Sequence, residues 1–478
     1  MLSSSLDTKI KRYFPDESVY KVPERYSIFS GKNLPSFIKD WLIKRYTDEF
    51  GDLDKSGLLD FLDRHIPHKE SNIKSRLIHG EEIKILARIV IETDLKKDIF
   101  KFSIPDVGIK MEEGRIPKYI MRKHDTLKEG EQWGVVSIIY IPPEGKENGY
   151  VELIDFKPFK PYDIDIEYFR NIRREFSLEE WANLLIRSME YNPDGFSSLT
   201  QKILFLSRLI VFVEPNVNII ELAPKGTGKS YVFGNLSKYG WQISGGTVSR
   251  AKLFYDLAKD SPGIITAYDF VAMDEIQTIT FSDENELRGA LKGYLESGGF
   301  TVGKRRQTST ASLILLGNIP LNEDSRPINS RYFAELPNFF QESALLDRFH
   351  GFIEGWKLPR INEDLKMKGY SLNVEYFSEV LNSIRTLSDY SATVSDLLDI
   401  PKKADTRDTT AVKKLTSGYL KLLFPHVRNA EDINKEDFKN FCFDVAIEKR
   451  AIVRKQISLI DSEFRNEMPD IKMKELYS

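Results

Sequence analysis

The chain has 478 residues, 41% hydrophobic and 29% charged, with a formal net charge of −3 at pH 7. That length suggests about three domains able to bury sizeable cores, and the near-neutral charge excludes a broadly basic nucleic-acid coat, so any phosphate contact must come from local patches. The single cysteine, Cys442, excludes intrachain disulfides and cysteine-rich zinc sites and fits a reducing cytoplasm.

The start, MLSSSLDTKIKRYF, lacks the apolar segment of a signal peptide. No later stretch reaches about 18 uninterrupted apolar residues, so no membrane span is expected. Residues 1–75 read as an N-terminal helical region. Phe37, Trp41, Leu42 and Tyr46 recur at helical spacing, as do Leu58, Leu59 and Leu62. Between them, Asp52, Asp54, Ser56, Gly57, Asp60 and Asp63 follow much of the spacing of a calcium loop. The twelfth position is Asp63 rather than a bidentate Glu, however, and no second loop follows. A polar turn capping the next helix is the competing reading.

Residues 76–165 change character. IKILARIVIET, IFKFSIP, WGVVSIIYIP and GYVELIDFKPF are β-branched and aromatic runs broken by turns. They predict a small closed β-barrel, with an OB-like fold the natural candidate. Such a barrel suits a nucleic-acid-binding or ring-collar role, or that of a plain spacer. Residues 166–215 return to helical patterning and read as a linker. Ser177 and Glu180 are spaced as a capping box, and a second amphipathic helix is expected near Leu199 to Phe212.

Residues 216–360 carry the chemistry. The apolar run Val217–Leu222 enters a loop, Ala223, Pro224, Lys225, Gly226, Thr227, Gly228, Lys229 and Ser230, with the ending of a P-loop. Its glycines let backbone N–H groups turn toward a polyphosphate, Lys229 reaches the β- and γ-phosphates, and Ser230 sits on Mg²⁺. Ala223 stands where the pattern opens with Gly, so an ordinary glycine-rich strand-to-helix turn is the alternative. A second apolar strand, Phe270–Met273, ends in Asp274 and Glu275, a Walker B arrangement. There Asp274 holds Mg²⁺ and Glu275 polarises the attacking water. A third, Leu313–Gly317, ends in Asn318, placed like a sensor 1 residue that orients that water. Arg348, in LLDRF, is placed like an arginine finger offered to a neighbouring subunit, or else forms a surface ion pair.

This order of elements resembles AAA+ ATPases, which work as rings because one subunit completes the next one's site. Gly299–Arg306 predicts a β-hairpin whose tip carries Lys304, Arg305 and Arg306. The minichromosome maintenance helicases carry a similar hairpin in the central pore, with an insert after the second strand where ISGGTVSRAKLFYDL stands here. The three basic residues are the DNA-contact candidates, touching phosphates rather than bases; a solvated turn is the alternative. Residues 361–478 read as a C-terminal helical lid: VEYFSEVLNSIRTL, TAVKKLTSGYLKLLF and EDFKNFCFDVAIEKRAIVRKQISLIDSEF.

Taken together, ELAPKGTGKSYVFGNLSKYGW, VAMDEIQTI, LKGYLESG, LLGNIP, ELPNFFQESALLDRFHGFIEGW and ADTRDT resemble the BrxL family, the Lon-like ATPases of BREX bacteriophage-exclusion systems. The resemblance implies an α/β AAA+ core using ATP and Mg²⁺. It further implies a cytoplasmic ring, a homo-hexamer able to stack as a double hexamer, that encircles double-stranded DNA and works with other BREX proteins. Arg407, after Ala404-Asp405-Thr406, resembles a sensor 2 arginine, with a plain helix-start Arg as the alternative. Longer family members carry a protease domain after the motor. No Ser–Lys pair stands here in a recognisable nucleophile setting, so an ATPase without protease activity is expected. A Lon-type protein unfoldase gripping peptide through Phe300, and an ATP-controlled clamp recruiting other defence factors, are the competing functions.

Overall fold

The computed structural model describes residues 5–32, 34–48, 51–66, 72–94, 97–124, 127, 130–145, 147–258 and 261–474. Residues 1–4, in the leading stretch quoted above, lie outside them. The chain divides into two units, Glu24–Leu34 with Ile38–Asp163, and Met1–Pro23 with Pro35–Phe37 and Ile164–Ser478.

In the first unit, β1 (Ile83–Asp94), β2 (Ile99–Ile104), β3 (Ile109–Ile116), β4 (Gly130–Ile141) and β5 (Tyr150–Pro158) close into a barrel of order β1-β2-β3-β5-β4. Neighbours are antiparallel except β3 with β5, which pair in parallel through Gly114 and Val151. Closure leaves no free sheet edge. The inward positions, among them Ile85, Ile89, Phe102, Val136, Ile138 and Leu153, form one apolar core. Gly114 permits a close approach, since a Cβ there would lie 2.1 Å from the Phe102 carbonyl oxygen. Before the barrel, Asp54 is the N-cap of helix Lys55–His65 and accepts the Gly57 N–H at 2.9 Å. Asp60 pairs with Arg64 and Asp63 with Lys32. The acidic turn thus caps a helix and forms ion pairs.

The second unit is built on five parallel strands: β6 (Asn218–Ala223), β7 (Gly240–Val248), β8 (Phe270–Phe281), β11 (Ser312–Asn318) and β12 (Gly351–Glu354), in the order β12-β6-β11-β8-β7. Both β6 and β11 are almost wholly buried, as central parallel strands covered on both faces must be. Between β8 and β11 come α2 (Glu284–Ser297) and an antiparallel hairpin of β9 (Gly299–Val302) with β10 (Arg305–Thr308). On α2, Leu287, Ala290, Leu291, Tyr294 and Leu295 form the buried stripe. β6 is followed by α1 (Lys229–Asn235).

Ser177 and Glu180 form the expected capping box at the start of helix Leu178–Ser188. The helix expected over Leu199–Phe212 is interrupted by a 3-10 turn at Ser207–Leu209. Ser18–Lys21 pairs antiparallel with Gly369–Leu372, tying the chain start to the segment after the sheet. Beyond the sheet lie helix Val374–Arg385, α3 (Thr406–Leu423) and α4 (Asp444–Ser458), which opens on a π-helical turn at Lys439–Phe443.

Arg385 fastens that first helix to the sheet. Buried, it donates through Nη1 to the Val211 and Glu214 carbonyls and through Nη2 to those of Asp269 and Thr310. Arg385→Met removes one donor from each of these four carbonyls, although those of Glu214, Asp269 and Thr310 keep another from Ser312 or Asn216. We expect a loss on the order of 3 kcal/mol in chemical denaturation; a change below about 0.5 kcal/mol would refute the role assigned to Arg385.

Candidate nucleotide site

The carboxyl ends of β6, β8 and β11 lie at one edge of the sheet, where open α/β sheets bind ligands. Asn318 is registered opposite Ala223. From Ala223 the loop turns through Gly226 (φ 83°) and Gly228 (φ 74°), both left-handed and both glycine for that reason. The departure at Ala223 is accommodated across the sheet by Gly355, where a Cβ would come within 2.3 Å of the Ala223 methyl. Pro224 and Thr227 are buried, whereas Lys225, Gly226 and Ser230 are exposed.

The loop is held from behind through its carbonyls. Ile361 N–H donates to Gly226 at 2.7 Å, and Arg208 Nη1 donates to Thr227 at 2.9 Å. Arg208 and Glu221 are both fully buried, and Arg208 also grips Glu221 through Nε at 3.0 Å and Nη2 at 2.5 Å. The sequence signal for this pair is Glu221 itself, an acid inside an otherwise apolar strand, which demands a buried partner. A loop with tied carbonyls keeps its N–H groups available for an anion.

Lys229, buried at the start of α1, donates through Nζ to Asn318 Oδ1 at 3.0 Å. Burial pushes its pKa below the ordinary lysine value, opposed by the charges of Glu221 and Asp274. Asp274 is buried and accepts from Gln242 Nε2 at 2.8 Å. Contrary to expectation, the strand does not end at the Asp274–Glu275 pair. It bulges between Asp274 and Ile279 and then rejoins β7 as far as Phe281. Glu275 sits in this bulge, exposed, at φ 49°. Bulges re-aim side chains, and left-handed non-glycine residues concentrate at functional sites. Gln277, unremarked in the sequence, brackets the Asn318 peptide. Its Nε2 donates to the Asn318 carbonyl at 2.7 Å, and its Oε1 accepts the Asn318 N–H at 3.2 Å.

The structure therefore gathers Lys229, Asp274, Glu275 and Asn318 at the carboxyl edge. Arg348 and Arg407 lie elsewhere. His350 N–H donates to the Asn218 carbonyl at 2.7 Å, and His350 Nδ1 accepts the Asn218 N–H at 2.9 Å, which puts Arg348 at the amino edge of β6. Burial holds the His350 pKa well below the usual range, keeping the ring neutral for that role. Arg407 follows the N-cap Asp405 and joins Arg348 there through their shared contact, Glu296. Asn218 and Ala223 are five steps apart, roughly 16 Å along the strand.

At the hairpin, Lys304, Arg305 and Arg306 are exposed, and Arg305 Nη1 donates to Tyr255 Oη at 2.7 Å. Phe300 is buried against Phe254 at 4.8 Å between ring centroids, so it is not offered to a polymer here.

Residues 151–470 match the family described as "Lon-like protease BrxL-like, ATPase domain", and residues 12–140 match "BREX system Lon protease-like protein BrxL N-terminal". The chain is 28% identical over 458 residues to "Lon-like protease BrxL" of Escherichia coli O9:H4 (strain HS), covering 95% of this chain and 64% of that protein. It is 29% identical over 484 residues to the protein of the same name from Bacillus cereus (strain H3081.97), covering 97% of this chain and 70% of that one. The chain thus spans just under two thirds of the first relative's length.

The two loop glycines should differ in their tolerance of a side chain. A Cβ at Gly226 meets nothing within 4 Å, whereas at Gly228 it would lie 2.1 Å from Tyr191 Oη. Gly226→Ala bears only the backbone strain, about 1–2 kcal/mol. Gly228→Ala should lose far more affinity for a fluorescent nucleotide in an equilibrium titration. Equal losses would count against the tight packing behind Gly228.

Proposed function

The chain belongs to the BrxL family of Lon-like ATPases, and on that premise we propose that it is a ring-forming, DNA-binding AAA+ ATPase of a BREX phage-defence system, with each ATP site shared by two subunits. The observation that supports sharing most directly is the separation of Arg348 from the phosphate loop along β6. A subunit cannot place Arg348 on its own nucleotide without dismantling the sheet, whereas a neighbour packed edge to edge can.

In this reading the N–H groups of Pro224–Ser230 and the Lys229 ammonium bind the triphosphate. Ser230 and Asp274 would hold Mg²⁺, which would supply neutralisation of the negative charge on the phosphates. The donor set fits a hard cation, since both are oxygen donors: the exposed Ser230 hydroxyl after the loop and the buried Asp274 carboxylate at the carboxyl edge. Glu275 accepts the proton of the attacking water. Asn318, fixed by Gln277, orients that water. Arg348 and Arg407 of the neighbour meet charge developing on the transferred phosphoryl group.

The partner is double-stranded DNA, encircled by a homo-hexamer that can stack as a double hexamer, in the cytoplasm and together with other BREX proteins. Lys304, Arg305 and Arg306 touch its phosphates. The barrel, closed by its parallel β3–β5 pair, serves as an OB-like collar module, and α3 and α4 serve as the lid. Burial of Phe300 weighs against a peptide-gripping unfoldase.

Glu275→Gln should bind ATP and DNA as the unaltered protein does, with ATP turnover reduced on the order of 100-fold or more. Full turnover by this variant would remove Glu275 from its role. Duplex DNA, but not unfolded protein, should stimulate turnover; the reverse preference would favour the unfoldase. In Lys304→Ala/Arg306→Ala, the slope of log K for DNA against log salt should become shallower by about 2. An unchanged slope would place the DNA contacts elsewhere.

A further inference from the structure

Glu296, in the last turn of α2, contributes nothing to the phosphate loop, yet it touches both arginines at the amino edge. Its Oε2 lies 2.7 Å from Arg348 Nε and 3.1 Å from Arg407 Nη2. An anion at a helix carboxyl end is disfavoured by the helix dipole, so these cations are what hold it there.

Each arginine also has a second anchor. Arg348 Nη1 donates to the Ala344 carbonyl, and Arg407 Nη1 donates to Asp347 Oδ2 at 2.8 Å. Asp347 is in turn fixed by Arg450, which donates to its Oδ1 at 2.6 Å, and Asp408 neutralises Arg450 and Arg454. Arg348, Arg407, Arg450 and Arg454 thus face three carboxylates, Glu296, Asp347 and Asp408. The two carboxylates on the candidate trans arginines differ in freedom, because the Glu296 side chain is 43% exposed and that of Asp347 5%. Only Glu296 can swing away without unburying a charge.

We propose that Glu296 is a stand-in anion. It holds Arg348 and Arg407 in a subunit that has not docked, and it competes for them with the terminal phosphate of the neighbour's nucleotide. Because each arginine keeps its second anchor, loss of Glu296 does not release either side chain. It raises the positive charge offered to the phosphate and removes a carboxylate that would repel it. Closure of the interface over a triphosphate then exchanges one anion for another. This inference rests on the shared-site reading and adds a brake to it.

The test is Glu296→Gln in the full chain, with ATPase rate per subunit measured against protein concentration at saturating Mg-ATP. The half-maximal concentration should fall about five-fold, a size that two partly exposed ion pairs can exert. In an Arg348→Ala/Arg407→Ala background, read as Mg-ATP-dependent subunit assembly by sedimentation because turnover is lost there, the same change should leave the half-maximal concentration unmoved, since Glu296 acts through those two arginines. Glu296→Ala, checked by thermal melting, provides a second variant should Gln misfold. An unchanged or higher half-maximal concentration in a folded variant overturns the proposal. If Arg348→Ala alone is as active as the unaltered protein, the shared-site reading fails first. If Arg348→Ala is inactive while Glu296→Gln shifts nothing, only the stand-in role is lost.

Discussion

Strand polarity governs this ATPase domain. Five parallel strands leave all their carboxyl ends on one edge and all their amino ends on the other. The phosphate loop, Asp274 and Asn318 are therefore fixed at one edge, and Arg348 at the opposite one. A parallel sheet buried on both faces does not bend to bring its two edges together. Arg348 and the phosphate-loop edge of one chain thus cannot meet. Under the proposed reading, in which Arg348 meets a bound nucleotide, that geometry requires the nucleotide to belong to another copy.

Buried charge holds the arrangement in register. Arg208 joins Glu221 of β6 to the Thr227 carbonyl, so the loop's position is set from beneath by an ion pair rather than by apolar packing alone. Arg385 and Arg450 do comparable work at the amino edge: Arg385 ties backbone carbonyls of separate segments, and Arg450 ties the Asp347 and Phe349 carbonyls to the Asp408 carboxylate. Such groups add little net stability when intact, but losing one partner strands the other in a low-dielectric interior. They specify where the pieces sit. Glu296 is the contrast, a carboxylate paired with Arg348 and Arg407 that remains partly exposed.

Much of this was legible in the sequence, for local reasons. The strand-to-helix loop around Gly226 and Gly228, the apolar runs ending at Asp274 and Asn318, and the hairpin carrying Lys304 are each written in contiguous residues. The barrel strands show themselves by β-branched runs between turns. What stayed hidden depends on partners distant in the chain. Nothing near Ser18 announces its pairing with Leu372. Gln277 is an ordinary strand residue until Asn318 lies beside it, and the continuation of β8 past Asp274 depends on the bulge that turns Glu275 out. Arg407 resembles a sensor 2 arginine in the sequence, but only the fold sets it beside Arg348 at the edge opposite Lys229.

The most direct measurement mixes two variants, Lys229→Ala, which under the proposed reading loses its grip on a triphosphate, and Arg348→Ala, which keeps its loop but no longer offers Arg348 onward. If sites are shared, each variant alone is inactive, and the mixture regains ATPase activity at interfaces that combine an intact loop with an intact arginine. A mixture as inactive as its parts, or an Arg348→Ala variant fully active as a monomer, would contradict the account.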